Sequence, residues 1–329
     1  MTMKYIDMHC DTLMILLFKD RDQMNLYDSP HTMVDLKRMQ KGGQMAQFFA
    51  AFLPQPSTYE HFGVEMLDDD VYINILHDAL VRNVAEHSDI IEMAYNADDI
   101  LRNDAAGKMS AVFTIEDGRS VNGSLEKLRH YHDDLGVRAI SLTWNFRNCF
   151  GAPNSTDPAV MSEGLTEFGK DAVRYMQELG ILVDVSHLSE GGFWDVADIC
   201  TKPFVATHSN CRNLSPHQRN LSDEQLRKLA DCGGITGINF APAFLNSDIA
   251  RTDSRAELMA VHARHMADVA GVDVIALGSD LDGIRGDLEV GSSDKFGLIE
   301  DALKRHGFTS DEIEKIFWKN AIRVMKETL

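Results

Sequence analysis

The chain has no run of clustered Lys and Arg. Its 32 basic residues are spread through 329 positions and face 51 acidic ones, for a formal charge of −19. Phosphate backbones are bound by grouped cations, so a nucleic-acid partner is excluded. No apolar stretch approaches the roughly 18 residues needed to span a bilayer. The start, MTMKYIDMHCD, runs directly into strand-like sequence without the apolar core of a signal peptide. Cysteine is scarce and unpatterned: Cys10, Cys149, Cys200, Cys211 and Cys232 are odd in number and none forms a C-x-x-C pair. That argues against a disulfide framework and against a cysteine zinc knuckle, and favours a reducing compartment. The expectation is a cytoplasmic protein with no membrane association. Low-complexity linkers and internal repeats are also missing, which leaves residues 1–329 as one domain.

What is present is an alternation. Eight short apolar or β-branched stretches, at residues 4–9, 44–53, 109–115, 137–144, 181–187, 203–208, 234–240 and 273–280, are each followed by helical patterning. In 124–136, Leu125, Leu128, Tyr131 and Leu135 fall at helical spacing, and the helix predicted over 165–180 closes on Gly180 just before the next strand. Such alternation implies a parallel sheet, and eight repeats imply its closure into a (β/α)₈ TIM barrel. The main insertion, residues 59–106 between the second and third strands, reads as two or three amphipathic helices, with Val64, Leu67, Val71, Ile75 and Leu80 as the apolar stripe of the first part.

Barrel enzymes carry their chemistry at the carboxyl ends of strands. Five such ends here are polar in an unusual way: Asp7-x-His9-x-Asp11, Glu116, His187, His208 and Asp280. Period-two geometry puts His9 and Asp11 on one face of the first strand, with Asp7 one layer deeper. The same parity joins Glu116 to Thr114 and Val112, His187 to Val185 and Val183, His208 to Ala206 and Phe204, and Asp280 to Gly278 and Ala276. It directs Asp184 away from the mouth. Three histidines and three carboxylates on one rim form a nitrogen and oxygen donor set suited to zinc, and too large for one catalytic ion with an open position. Two Zn2+ ions about 3.5 to 4 Å apart would use them all.

These residues resemble a known family, the membrane (renal) dipeptidases, di-zinc enzymes on an amidohydrolase-like barrel. The match runs through DMHCDTL at 7–13, TIEDG at 114–118, DVSH at 184–187, THSNCR at 207–212, HQRNLSDEQL at 217–226 and GSDLDG at 278–283 to the final KNAIRVMKETL helix. The resemblance implies that His9 and Asp11 hold one zinc, that His187 and His208 hold the other, and that Glu116 bridges them. It implies Asp280 as the proton shuttle and Arg219 as the clamp for the substrate's terminal carboxylate. The reaction implied is hydrolysis of small dipeptides by a hydroxide shared between the metals, with tolerance of a D-residue at the C-terminal position and a homodimer as the assembly.

Two positions depart from that pattern. Where animal members carry a substrate-contacting histidine after the fourth strand, this chain has Trp144 and Asn145, which are then expected to line the substrate pocket, Asn145 as a neutral donor to the carbonyl. Glu116 is followed by Asp117 before the glycine, a change expected to alter only the turn. His262 and His265, and His130 and His132, read as solvated helix residues, and Asp7 as a partner for a metal-bound histidine. Alternatives are a di-zinc hydrolase of another amide, a lactone or a phosphoester, and a barrel that binds metal without catalysis.

Overall fold

The structure, a computed structural model, describes residues 3–329. Eight parallel strands close into a barrel: β1 (Tyr5–Cys10), β2 (Gln44–Phe52), β3 (Met109–Glu116), β4 (Ala139–Ser141), β5 (Leu182–Asp184), β6 (Val205–Ala206), β7 (Ile235–Ile238) and β8 (Ile275–Leu277). Each pairs with the next in sequence, and β8 returns to β1 through Leu277 and Asp7. The (β/α)₈ expectation holds. Strands four to eight are shorter than the sequence suggests, because their last residues leave the ladder to build loops at the mouth.

Three short strands were not foreseen; Asp253–Ser254 and Asp287–Leu288 pair with each other apart from the barrel. Ile91–Met93 pairs with Met109–Ala111, the lower half of β3, whereas β4 reaches only Thr114–Glu116. The short β4 leaves those backbone groups open, and a buried ladder edge requires a partner. The rest of the insertion is helical, as expected, over Pro56–Phe62, Asp69–Glu86 and Ala97–Ala105. Its buried face differs from the expected stripe: Val71 is 49% exposed, and Tyr72, Ile73, Leu76 and Leu80 are the residues that pack inward.

The barrel interior is apolar at the bottom. Ile6, Met8, Phe48, Val112, Leu182 and Val205 meet there in one cluster, plugged by Ile322, Val324 and Met325 of the terminal helix Asn320–Thr328. Hydrogen bonds from Asn320 to the Ile275 carbonyl (2.8 Å) and from Arg323 to the Gly233 carbonyl (2.6 Å) fasten this helix across the strands' amino ends. With that end closed, only the carboxyl mouth is open for chemistry.

Strand registers correct three parities. Glu116 lies opposite Ser141, Ser141 opposite Asp184, and Asp184 opposite Val205, so Asp184 and Val205 belong to the inward set with Glu116. Val183 and Ala206 therefore face the outer helix layer, and simple alternation does not carry His187 or His208 into the mouth. Both lie past the ends of their strands, and His187 turns inward at a positive φ of 70°. In β1, Asp7 is opposite Gln47 and Cys10 opposite Phe49, so β1 holds one extra residue. This bulge keeps Met8 in the apolar core and turns His9 and then Asp11 toward the mouth. Asp7 is left on the outward side, at the seam with β8.

Candidate metal centre and active site

Six side chains foreseen from sequence converge at the mouth: His9, Asp11, Glu116, His187, His208 and Asp280. Glu116 is central. Its Oε2 is 3.3 Å from His9 Nε2, while its Oε1 is 2.9 Å from His187 Nε2 and 3.6 Å from His208 Nε2. On the first side, His9 Nε2 also lies 3.7 Å from Asp11 and 3.9 Å from Asp280. Two overlapping donor groups result, His9, Glu116 and His208 in one and His9, Asp11 and Asp280 in the other.

The donor set fits metal. His9 Nε2 and Asp11 Oδ1 are buried without a hydrogen-bond partner, a costly state for polar atoms unless a cation uses them. His187 and His208 bring their Nε2 atoms within 3.1 Å of each other. Each has its Nδ1 engaged elsewhere, at 3.2 Å from Asn145 Oδ1 and 2.8 Å from Thr207 Oγ1 respectively. With the Nδ1 protons so used, both Nε2 lone pairs point into one space, as metal ligation demands.

Burial governs the charges. It lowers His187 to about 4, with nearby Arg219 adding to the effect. At His9 burial acts the same way, but Glu116, Asp11 and Asp280 outweigh it and raise the imidazole to about 10. Asp280 is raised to about 6 by burial, with His9 and Glu116 acting in opposite directions.

Support for these groups was only partly legible in sequence. Asp184, turned inward, accepts from the Ser186 and Thr207 amides (both 2.9 Å), from Ser141 Oγ and from Thr207 Oγ1 (2.6 Å). Thr207 therefore donates to Asp184 and accepts from His208 Nδ1. The signal was available in the adjacency of DVSH and THSN, but parity counted from His187 hid it. Gly278 makes this possible, since a Cβ there would come within 1.8 Å of the Thr207 carbonyl oxygen. Asp7 does not hold the His9 ring. It accepts from Ser279 N and Oγ (both 2.7 Å) and from the His9 amide (3.5 Å), so it locks the β8 end beside β1.

That lock places Asp280, whose amide donates to the His9 carbonyl (3.1 Å) and whose Oδ2 accepts from Asn239 Nδ2 (2.8 Å). Gly283 is required next to it, because a Cβ would stand 2.0 Å from Asp11 Oδ2 and 2.7 Å from Asp280 Oδ1. Asp282 is committed to structure: it accepts from Thr12 Oγ1 (2.5 Å) and from the Met33 amide (2.6 Å).

Asn145 stands against His187, and Trp144 packs edge-on against Phe52 at 5.0 Å and lies 6.2 Å from the His187 ring. Asp117 takes a φ of 75°, held there by Asn148 Nδ2 (2.9 Å) and the Arg119 amide (3.1 Å). His262 corrects an expectation: it is buried, accepting from the Cys211 amide (3.1 Å) and 3.0 Å from the Leu245 carbonyl. His265 contacts Asp223 Oδ1 at 2.7 Å, and His130 and His132 are surface residues beside Asp134 and Asp133.

Arg219 is 5% exposed at the far side of His187. It donates to Ser209 Oγ (3.2 Å) and to the His208 carbonyl (3.3 Å), lies over the Phe244 ring, and has no carboxylate in ion-pair contact among the described residues. The capping box Ser222–Gln225 opens the helix that follows it, as expected. Two cavities flank His187. One, about 480 Å³, lies over Asp11, Glu116 and Asp280. The other, about 460 Å³, lies over Arg219.

A closed parallel barrel with this donor set at its mouth has the form of a metal-dependent barrel hydrolase. The chain belongs to the membrane dipeptidase family, peptidase family M19, whose family model matches residues 1–329. It is 32% identical to dipeptidase tcpJ of Claviceps purpurea over 89% of this chain and 69% of that one. It is 31% identical to an uncharacterized dipeptidase of Schizosaccharomyces pombe over 99% and 80% of the two chains. A metallopeptidase of Rhodobacter sphaeroides, solved with a phosphinate mimic of the dipeptide L-Ala-D-Ala, matches with a TM-score of 0.89 over 100% of both chains at 27% identity. The chain is a metallodipeptidase. Among its described residues no helix is long and apolar enough to cross a membrane.

Proposed function

We propose that the chain hydrolyses small free dipeptides at a pair of zinc ions. The observation that carries this reading is the division of the Glu116 carboxylate, with Oε2 toward His9 and Oε1 toward His187 and His208. His9 and Asp11 would hold one ion, His187 and His208 the other, and Glu116 both. Bound there, the pair would supply Lewis acidity toward the peptide carbonyl and lower the pKa of a water shared between them. Asp280 would receive the proton of that water at Oδ1 and return it to the leaving nitrogen, while Asn239 holds Oδ2 and so fixes the carboxylate's direction.

Arg219 would bind the substrate's terminal carboxylate. It is a buried guanidinium with Nε unpartnered, a site that gains from an anion with two oxygens. Asn145 accepts from His187 through Oδ1, which leaves its amide nitrogen to donate to the substrate carbonyl, and Trp144 forms a pocket wall. The L-Ala-D-Ala mimic in the Rhodobacter relative supports tolerance of a D-residue at the C-terminal position. The five free cysteines suit a reducing compartment, and a cytoplasmic location is part of the proposal.

Amidating the C-terminus of a good dipeptide tests the clamp, since it removes the charge and leaves the scissile bond. A lost charge-assisted hydrogen bond, about 1.5 to 3 kcal/mol, corresponds to a fall in kcat/KM on the order of 10-fold or more. Arg219→Met is expected to abolish the difference between free and amidated substrate. Equal cleavage of both by the unaltered enzyme would favour hydrolysis of another small amide.

A further inference from the structure

The two cavities differ in chemistry. The wall over the metal ligands presents a row of large apolar side chains, Met14, Ile15, Phe52, Phe62, Trp144 and Ile284, beside Ser57, Thr58, His61 and Arg285. The cavity over Arg219 is walled by Asn154, Ser155, Thr156, His217 and Gln218, with Phe244 its one large apolar neighbour and no carboxylate among its lining residues. We propose that this second cavity is a subsite for the side chain of the substrate's C-terminal residue, and that it selects amide- or carboxylate-bearing side chains over aliphatic ones. The inference rests on the dipeptide reading above.

Three observations carry it. A dipeptide's terminal carboxylate and C-terminal side chain branch from the same Cα, so a carboxylate on Arg219 puts that side chain in the cavity Arg219 lines. The N-terminal residue then lies along the apolar wall, with its ammonium on the side of Asp11 and Asp280. Next, several of the cavity's polar groups are unspent. The amide of half-buried Gln218 and the hydroxyl of exposed Thr156 make no hydrogen bond within the described residues, and both line the cavity. His217 Nδ1 accepts from the Arg219 amide (3.2 Å), which places the ring proton on Nε2 as a further donor.

Finally, the walls are anchored before substrate arrives. Asn154 binds the His187 carbonyl through both its backbone N (2.6 Å) and Nδ2 (2.8 Å), and Ser155 Oγ accepts from the Asp157 amide (3.0 Å). An aliphatic side chain would strip water from Gln218, Thr156 and His217 Nε2 without replacing its hydrogen bonds, whereas an amide or carboxylate replaces them.

The test compares kcat/KM for leucyl-glutamine, leucyl-glutamate and leucyl-leucine with metal-loaded enzyme, in the unaltered protein and in Gln218→Leu, with Thr156→Val as a second variant should the first fail to fold. The polar substrates are expected to be favoured by about 2- to 10-fold, the span of one net hydrogen bond. That ratio should fall toward one in either variant. A flat ratio in the unaltered enzyme, or a ratio unmoved by the variants, overturns the subsite while leaving dipeptide hydrolysis intact. Cleavage of none of the three overturns the dipeptide reading and the subsite together.

Discussion

Asp280→Asn is expected to lower kcat by about 10²- to 10⁴-fold, the range of general acid-base contributions, while metal content stays normal. The variant isolates the proton. Asparagine keeps the size of the side chain and an acceptor oxygen, and it tolerates the left-handed backbone at φ 61° better than other polar residues. The amide bond from residue 280 to the His9 carbonyl, 3.1 Å, does not involve the side chain and remains. What disappears is a group at Oδ1 able to take a proton and give it back. Turnover and metal content measured on the same preparation check this. Near-normal kcat would move the shuttle to another group, and Asp282 is a poor substitute because Thr12 and Met33 already occupy its oxygens.

Thr207→Val is expected to weaken metal binding by about 10- to 100-fold, the usual cost of losing a partner behind a ligand histidine. Valine fills the same volume but cannot link Asp184 to His208 Nδ1, contacts of 2.6 and 2.8 Å in the unaltered protein. The imidazole would lose the acceptor that fixes its tautomer, and Asp184 would lose one of its four donors. Competition with a chelator reads the affinity, and Thr207→Ser, which restores the hydroxyl, should recover most of it. A thermal melt of the metal-free protein separates this from simple destabilisation. Unchanged affinity in the valine variant would reduce Thr207 to a packing role.

The barrel and its donor residues were legible because both follow from local pattern. Strand and helix periods alternate, and polar residues close apolar runs. Geometry beyond the strand ends was not legible. Parity gave the right column for Glu116, which ends its strand in alternation, and for Asp280, which reaches the mouth on a left-handed turn three residues past β8. It gave the wrong columns for His187 and His208, which reach the site through turns past β5 and β6. In β1 one extra residue lies between Asp7 and Cys10, and nothing in DMHCD signals a bulge. Counting parity back from His187 hid Asp184. Ile91–Met93 escaped notice because a three-residue strand has no period to detect, and its reason to exist is the shortness of β4, a tertiary fact. His262 lies on a helix whose pattern resembles a solvated face, and the packing of the Cys211 loop and of Leu245 against it makes it buried.

Under the proposed function, two metal ions held by His9, Asp11, Glu116, His187 and His208 would support dipeptide hydrolysis. Titrating chelator-stripped protein with zinc while following cleavage of one free dipeptide tests it most directly. Turnover is expected to rise until two equivalents are bound per chain and to level there. Levelling at one equivalent, or no hydrolysis at full loading, would contradict the account.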